Sequence, residues 1–333
     1  MKIALISSVE SVSYQFYSMS MQSINSHDNC YFEPILGSSI DYSNYDVALF
    51  MGGSNDAVHA KKINSNIICG IVDPRLLSVD QFKGIDILIV NGIESQVFFN
   101  ANNLTSFVYP VYPDVPSAIT NKSINEDGLI LGYHGNKVHL EGMFPRITDA
   151  IKRLNKEVPI RLFAMYNIKD LGESKLITSD KLGFPVKHIQ YSFANYAKYI
   201  SISDIGLAPQ FLNTRLERFV SYLYKMMRRD GYNYFLSYKA TTNLGRHFVF
   251  CQYGIPVVSD ATPSAADFII NGENGFLSYS TDSWFNALQR LSQNEQLRKE
   301  IGRKGFITWS SKYTHDNLNN KLLDFLKYSD CNF

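Results

Sequence analysis

The chain has 333 residues, enough for two domains, and its 45% hydrophobic against 19% charged content allows sizeable cores. A formal net charge of +1 argues against a general nucleic-acid coat, so no nucleic-acid partner is expected. The four cysteines, Cys30, Cys69, Cys251 and Cys331, lie far apart without a CxxC, as reduced thiols of a cytosolic protein do. No run approaches the about 18 apolar residues of a membrane-spanning helix. The start, MKIALISSVESVS, is strand-like and soon polar, unlike a signal peptide. The 21 Tyr and 22 Phe serve core and surface packing, with sugar stacking as their other use.

In chain order, apolar β-branched runs at 3–6, 47–51, 67–72, 87–90 and 107–111 predict strands separated by helix-compatible segments. Such alternation implies βαβ units and a parallel sheet, with ligand-facing loops beyond the carboxyl ends of the strands. Those loops carry Ser8, Glu10, Gly53, Asp73, Arg75 and Glu94. The stretch 110–127 holds Pro110, Pro113 and Pro116 and then polar residues with no period, which marks a linker. A second alternating series follows, with strands predicted at 129–133, 160–164, 186–189, 205–208, 255–258 and 276–277. Helices are predicted at 143–154, 284–291, 297–301 and 317–327.

Between 213 and 229, Leu216, Phe219, Val220, Leu223, Tyr224 and Met227 share one helical face, and Arg218, Lys225, Arg228 and Arg229 take the other. A basic amphipathic helix of this kind either lies on an anionic membrane or rests its apolar face on the protein core.

Several chemistries lack their motifs. No GxGxxG follows the first strand, and no GxxxxGK[ST], DxD or GxSxG occurs. His134 and His139 are five residues apart, a poor spacing for sharing a helix face, so no metal site is expected. One loop stands out. Lys239, Thr241, Thr242, Asn243, Gly245 and Arg246 precede an apolar helix and the buried run Gly254-Ile-Pro-Val-Val258. Cations, small hydroxyls and a glycine at a helix start suit a phosphate, and they equally compose an ordinary solvated loop.

The segment GIPVVSDATPSAADFIINGENGFL, with the helical pattern after it, resembles the donor domain of GT-B glycosyltransferases, closest to the retaining nucleotide-sugar-dependent group (glycosyltransferase family 4-like). Gly254, Pro256, Val257, Val258, Asp267, Ile269, Gly272, Gly275, Leu288, Leu291, Arg298 and Gly302 match in order, and SISDIGLAP fits upstream. The likeness is strong over the last third of the chain and only architectural in its N-terminal half.

The resemblance implies an α/β protein of two Rossmann-like, doubly wound parallel-sheet domains facing across a cleft. Residues 1–118 would bind acceptor, 119–127 link, 128–312 bind the nucleotide-sugar donor, and 313–333 return as a helix to the first domain. It implies that Arg246 neutralises the donor diphosphate, assisted by Lys239 and Asn243 from a loop that includes Thr241, Thr242 and Gly245. A surface salt bridge is the other use of such an arginine. The family's glycine-rich turn falls on Gly135, Asn136 and Lys137, where Gly135 would admit the phosphates and Lys137 add charge. Tyr191 opens the matching SISDIGLAP region on the donor side. Asp267 would take a ribose or sugar hydroxyl, or cap its helix.

The reaction implied is metal-independent transfer from a nucleotide sugar, with no cofactor, to a glycan or lipid-linked acceptor. Its setting would be surface polysaccharide synthesis in the cytoplasm, with segment 213–229 as a peripheral membrane contact. An inverting enzyme would need a general base, one of the carboxylates Glu10, Asp73 and Glu94 or a histidine, with Asp73 beside Arg75 the more interesting pair, although an Asp–Arg structural pair is the alternative. The chain departs from the family where two glutamates eight apart become Thr241 and Val249, and the loop carries two extra residues. Donor sugar and stereochemistry therefore stay open. A nucleotide-sugar epimerase or hydrolase and a catalytically silent nucleotide-sugar-binding partner stay open as well.

Overall fold

In a computed structural model the described residues are 1–37, 40–52, 56–74, 82, 84–114, 128–212, 237–238 and 242–329. The predicted linker 119–127 and the basic segment 213–229 lie outside them. The chain divides into two compact units. One comprises Met1–Asp114, Ala240–Gly245 and Ser310–Phe333, and the other Val115–Lys239 and Arg246–Trp309.

The first unit holds six parallel strands in the order β2-β1-β3-β4-β5-β6: β1 Lys2–Ser7, β2 Tyr31–Leu36, β3 Val47–Met51, β4 Ile68–Val72, β5 Ile87–Val90 and β6 Ser106–Val108. The central strands are buried along their whole length, as the unbroken runs ICGIV and ILIV require when both faces are covered. β2 is not legible in the sequence. Its Glu33 and Pro34 break the apolar pattern, and a proline is tolerated there because β2 is an edge strand.

β6 is shorter than the predicted 107–111. Beyond it, side chains take over from the ladder. The Tyr109 hydroxyl donates to Asn319 Oδ1 at 2.8 Å, and the Tyr112 hydroxyl to the Tyr313 carbonyl at 2.6 Å. These bonds fasten the C-terminal helix His315–Ser329 within this unit.

The second unit holds another six parallel strands in the order β14-β13-β10-β7-β8-β9. They are β7 Leu129–His134, β8 Ile160–Tyr166, β9 Val186–Gln190, β10 Ile205–Ala208, β13 Val257–Asp260 and β14 Phe276–Ser278. A short antiparallel pair, β11 Phe211–Leu212 with β12 Ser237–Tyr238, follows β10. Helices Arg146–Leu154 and Thr281–Gln293 share one apolar core through Ile147, Ile151 and Leu154 on one side and Trp284, Leu288 and Leu291 on the other. The predicted helix at 143–154 begins at Arg146, because Pro145 separates it from the shorter helix Lys137–Gly142.

Around β13 the packing explains the glycines. Helix Gly245–Cys251 is followed by Gly254 at φ +64, the left-handed turn after which Pro256 leads into the strand. The strand therefore starts at Val257, two residues later than predicted. A Cβ on Gly302 would lie 1.8 Å from the Gly254 carbonyl oxygen, so helix Glu295–Lys312 rests backbone against backbone on that turn. Gly206 and Gly132, on neighbouring strands, leave room for the Phe250 ring in the same way. No described helix is long and apolar enough to cross a membrane.

Candidate functional site

In the second unit, the carboxyl ends of β7, β10 and β13 converge on Arg246. β7 ends in Tyr133 and His134, and the chain then turns at Gly135 with φ +151, a conformation that favours glycine. Asn136 caps helix Lys137–Gly142, its Oδ1 accepting the Val138 N–H at 3.0 Å. The buried Tyr133 hydroxyl donates to the Asn136 carbonyl at 2.6 Å and braces the turn. Burial raises this phenol to about 12, with Arg246 pulling the other way.

Gly135 makes room for protein rather than for ligand alone. A Cβ there would stand 2.6 Å from Arg246 Nε and 3.0 Å from the Tyr133 hydroxyl. Arg246 itself donates from Nη1 to the Pro209 carbonyl at 2.8 Å and to Gln210 Oε1 at 3.3 Å. Its Nε and Nη2 bond to no described residue, and no carboxylate among the described residues pairs with it. Burial draws its pKa down, which is what desolvation does to a cation, although a guanidinium stays charged.

The segment that holds Arg246 is itself held by Asp260, at the end of β13 and fully buried. Oδ2 accepts the Gln210 and Phe211 N–H groups, each at 2.8 Å. Oδ1 accepts Trp284 Nε1 at 3.0 Å and lies 2.7 Å from Arg146 Nη1. That last contact is an ion pair off hydrogen-bond alignment, and the Arg146 guanidinium also covers the Phe211 ring at 5.0 Å. Asp260, Arg146 and Gln210 do not stand out as site residues in the sequence. Only the position of Asp260, an acid directly after the buried PVVS run, could have signalled it.

His134 lies half-buried beside Tyr191, with ring centroids 5.4 Å apart, and Tyr196, at 6.5 Å. Tyr191 also meets Phe193 at 6.0 Å and Tyr196 at 6.1 Å, and burial raises its phenol pKa. His134 Nδ1 is enclosed and has no hydrogen-bond partner among the described residues. Burial, and secondly the charge of Arg246, lower its pKa to about 4, so the imidazole is neutral at physiological pH.

Lys137 turns its ammonium to the carbonyls of Leu171 (2.8 Å) and Glu173 (3.2 Å), so its charge is engaged by that turn. Within the first unit, Asn243 Nδ2 donates to the Val111 carbonyl at 2.8 Å, while its Oδ1 accepts the Gly245 N–H at 2.9 Å. A Cβ on Gly245 would lie 2.1 Å from the same Val111 oxygen, so Asn243 and Gly245 fasten their loop to that unit. Thr242 is buried there. Lys239, Thr241, Gly53 and Arg75 lie outside the described residues. Val249 is fully buried in the core. Asp267 is exposed near the end of helix Pro263–Phe268, whose N-cap is Thr262, so it does not cap the start of that helix.

At the carboxyl edge of the first sheet, Asp73 is buried in a left-handed conformation, φ +52. Its Oδ1 accepts Asn91 Nδ2 at 2.7 Å, and Asn91 Oδ1 accepts the Tyr17 hydroxyl at 2.6 Å. Neither Asn91 nor Tyr17 is legible in the sequence as part of this chain of bonds, because Asn91 comes from the turn after β5 and Tyr17 from helix Val12–Ser20. Ser8 and Glu10 are exposed after β1, Glu10 accepting Gln15 Nε2 at 3.1 Å, and Glu94 is buried in the first turn of helix Ile93–Asn100.

No family model and no curated protein matches this chain. Solved structures do. Anabaena HepE in complex with UDP and glucose superposes with a TM-score of 0.68 at 14% identity, over 98% of this chain and 100% of its own. A glycosyltransferase from Rickettsia africae gives 0.69 at 11%, over 100% and 99%. A structure described as a UDP-N-acetylglucosamine 2-epimerase from Listeria monocytogenes gives 0.52 at 12%, over 98% and 95%. With two six-stranded parallel sheets and near-complete coverage by such neighbours, the chain has the GT-B glycosyltransferase fold.

Proposed function

We propose that the protein is a glycosyltransferase that moves a sugar from a nucleoside-diphosphate-sugar donor to a glycan or lipid-linked acceptor. The observation that carries this reading is Arg246, whose guanidinium is anchored through Nη1 alone while Nε and Nη2 bond to no described residue. It stands beside the Gly135 turn at the carboxyl ends of parallel strands, where open α/β sheets bind ligands. The acceptor oxygen bonds to the anomeric carbon as the bond from that carbon to the diphosphate oxygen breaks. The leaving diphosphate gains negative charge, and a pre-placed guanidinium stabilises it without reorganising. Lys239 adds a second cation in this scheme, and no metal ion takes part. The acceptor proton passes to Asp73 in an inverting enzyme, or to the departing phosphate in a retaining one.

UDP, present in the HepE complex, is the first nucleotide to test. A thermal-shift screen of UDP, GDP, CDP, ADP and dTDP should single out one, because a ligand bound only by the folded state raises its stability. With the matching donor sugar, Arg246→Ala should lower turnover by about 100- to 1000-fold while the protein stays folded. Unchanged turnover would remove Arg246 from the mechanism. The setting we infer is surface polysaccharide synthesis at the inner face of the cytoplasmic membrane, with segment 213–229 as the membrane contact.

The Listeria likeness favours a second reading, an epimerase or hydrolase acting on the nucleotide sugar itself. Donor turnover with no acceptor present would decide for it. Nucleotide binding without turnover under any condition would instead fit a silent partner, consistent with Thr241 and Val249 standing where relatives carry glutamates.

A further inference from the structure

The ring of His134 is half-buried at the end of β7, one residue before the Gly135 turn and within the field of Arg246. Its inner nitrogen, Nδ1, is enclosed without a hydrogen-bond partner among the described residues. A buried polar atom left unpaired costs stability, and a protein retains one where something else depends on that placement. A neutral imidazole carries a single N–H. Placing it on Nδ1 would orphan a donor in a dry pocket, which is rarer than an orphaned lone pair. The proton therefore belongs on Nε2, and Nε2 is the nitrogen left open to a ligand. Tyr191 and Tyr196 pack against the ring and hold its orientation.

We propose that His134 is a direct ligand contact, its neutral imidazole donating a hydrogen bond from Nε2 to a phosphoryl oxygen of the diphosphate bound by Arg246. The proposal rests on the donor-binding reading above. It assigns the two residues different work. Arg246 supplies charge. His134 supplies one directed, uncharged donor that fixes which phosphoryl oxygen faces the guanidinium.

Two substitutions separate this role from simple packing. His134→Gln places an amide N–H near the position of Nε2 and loses the ring. His134→Phe keeps the ring and loses the donor. Binding of UDP, with GDP, CDP, ADP and dTDP in parallel, is measured by titration calorimetry on the wild type and both variants, each checked for folding by circular dichroism. A hydrogen bond to a charged group predicts about tenfold or greater weakening in His134→Phe and little loss in His134→Gln. Equal affinity of all three proteins, or loss in His134→Gln with retention in His134→Phe, overturns the proposal and leaves the donor-binding reading standing. A wild type that binds none of the five nucleotides overturns both.

If either variant fails to fold, ¹⁵N spectra of the wild-type histidines decide. A His134 Nε2 resonance that shifts on adding the bound nucleotide supports the contact, and an unmoved one overturns it.

Discussion

Arg246 and Gly135 were both legible in the sequence, but their relation was not. The sequence offered Gly135 as room for phosphate. The structure places Arg246 Nε where a Cβ would be, so the glycine is needed first to seat the arginine. In the sequence His134 stands only as half of a poorly spaced metal pair with His139, because its surroundings come from Tyr191 and Tyr196, more than fifty residues away. Its environment has a measurable consequence. The folded-state pKa is depressed to about 4 from 6.5, so the unfolded chain binds a proton between those values that the folded chain does not. Stability contributed by the neutral imidazole is complete above about pH 6.5. It is lost as the pH falls to about 4, by about 3 kcal/mol at most. Urea unfolding of wild type and His134→Gln across pH 4–7 should show a steeper acid loss in the wild type. Parallel curves would mean that the ring titrates as in water.

At the scale of elements, β10 and β13 are paired by their backbone ladder, and beyond its end a single carboxylate ties the segment after β10 to the end of β13. Asp260 holds the Gln210 and Phe211 amides, and through that segment the acceptors of Arg246. Removing the acid leaves Arg146 buried at 7% exposure without its counter-charge. Asp260→Ala should therefore cost about 3–5 kcal/mol in denaturant unfolding, and Asp260→Ala with Arg146→Met should recover much of it. A cost below 1 kcal/mol would show that the pair is not what fixes the segment. The strands themselves were readable wherever both faces are buried, since runs such as ICGIV leave no other period. They were misread where a proline intervened. β2 was lost to Pro34 at a sheet edge, and the start of β13 was placed two residues early by counting Ile255 and Pro256 into it.

At the scale of the whole molecule, each unit has its own apolar clusters, around Leu131, Ile151 and Leu288 in one and around Ala48, Phe50 and Ile71 in the other. Chains of more than one compact unit depart from a single two-state transition. Calorimetry should resolve two, and the matching nucleotide should raise the one belonging to the unit of Arg246. At 100 times its Kd the gain is about 2.7 kcal/mol. An equal rise of both transitions would place nucleotide contacts outside that unit alone.

By itself the sequence determined the alternating α/β pattern, the GIPVV strand with its glycines, and Arg246 as the cation to watch. Local chemistry suffices for these, since burial on both faces dictates apolar runs and a left-handed turn dictates glycine. Only the tertiary structure decided that Asp260 anchors the acceptors of Arg246, that Lys137 spends its ammonium on the 171–173 turn, and that His134 Nδ1 is enclosed with no partner among the described residues. Each of those depends on groups brought together from distant strands, and pairing across a parallel sheet leaves no periodic trace in the chain.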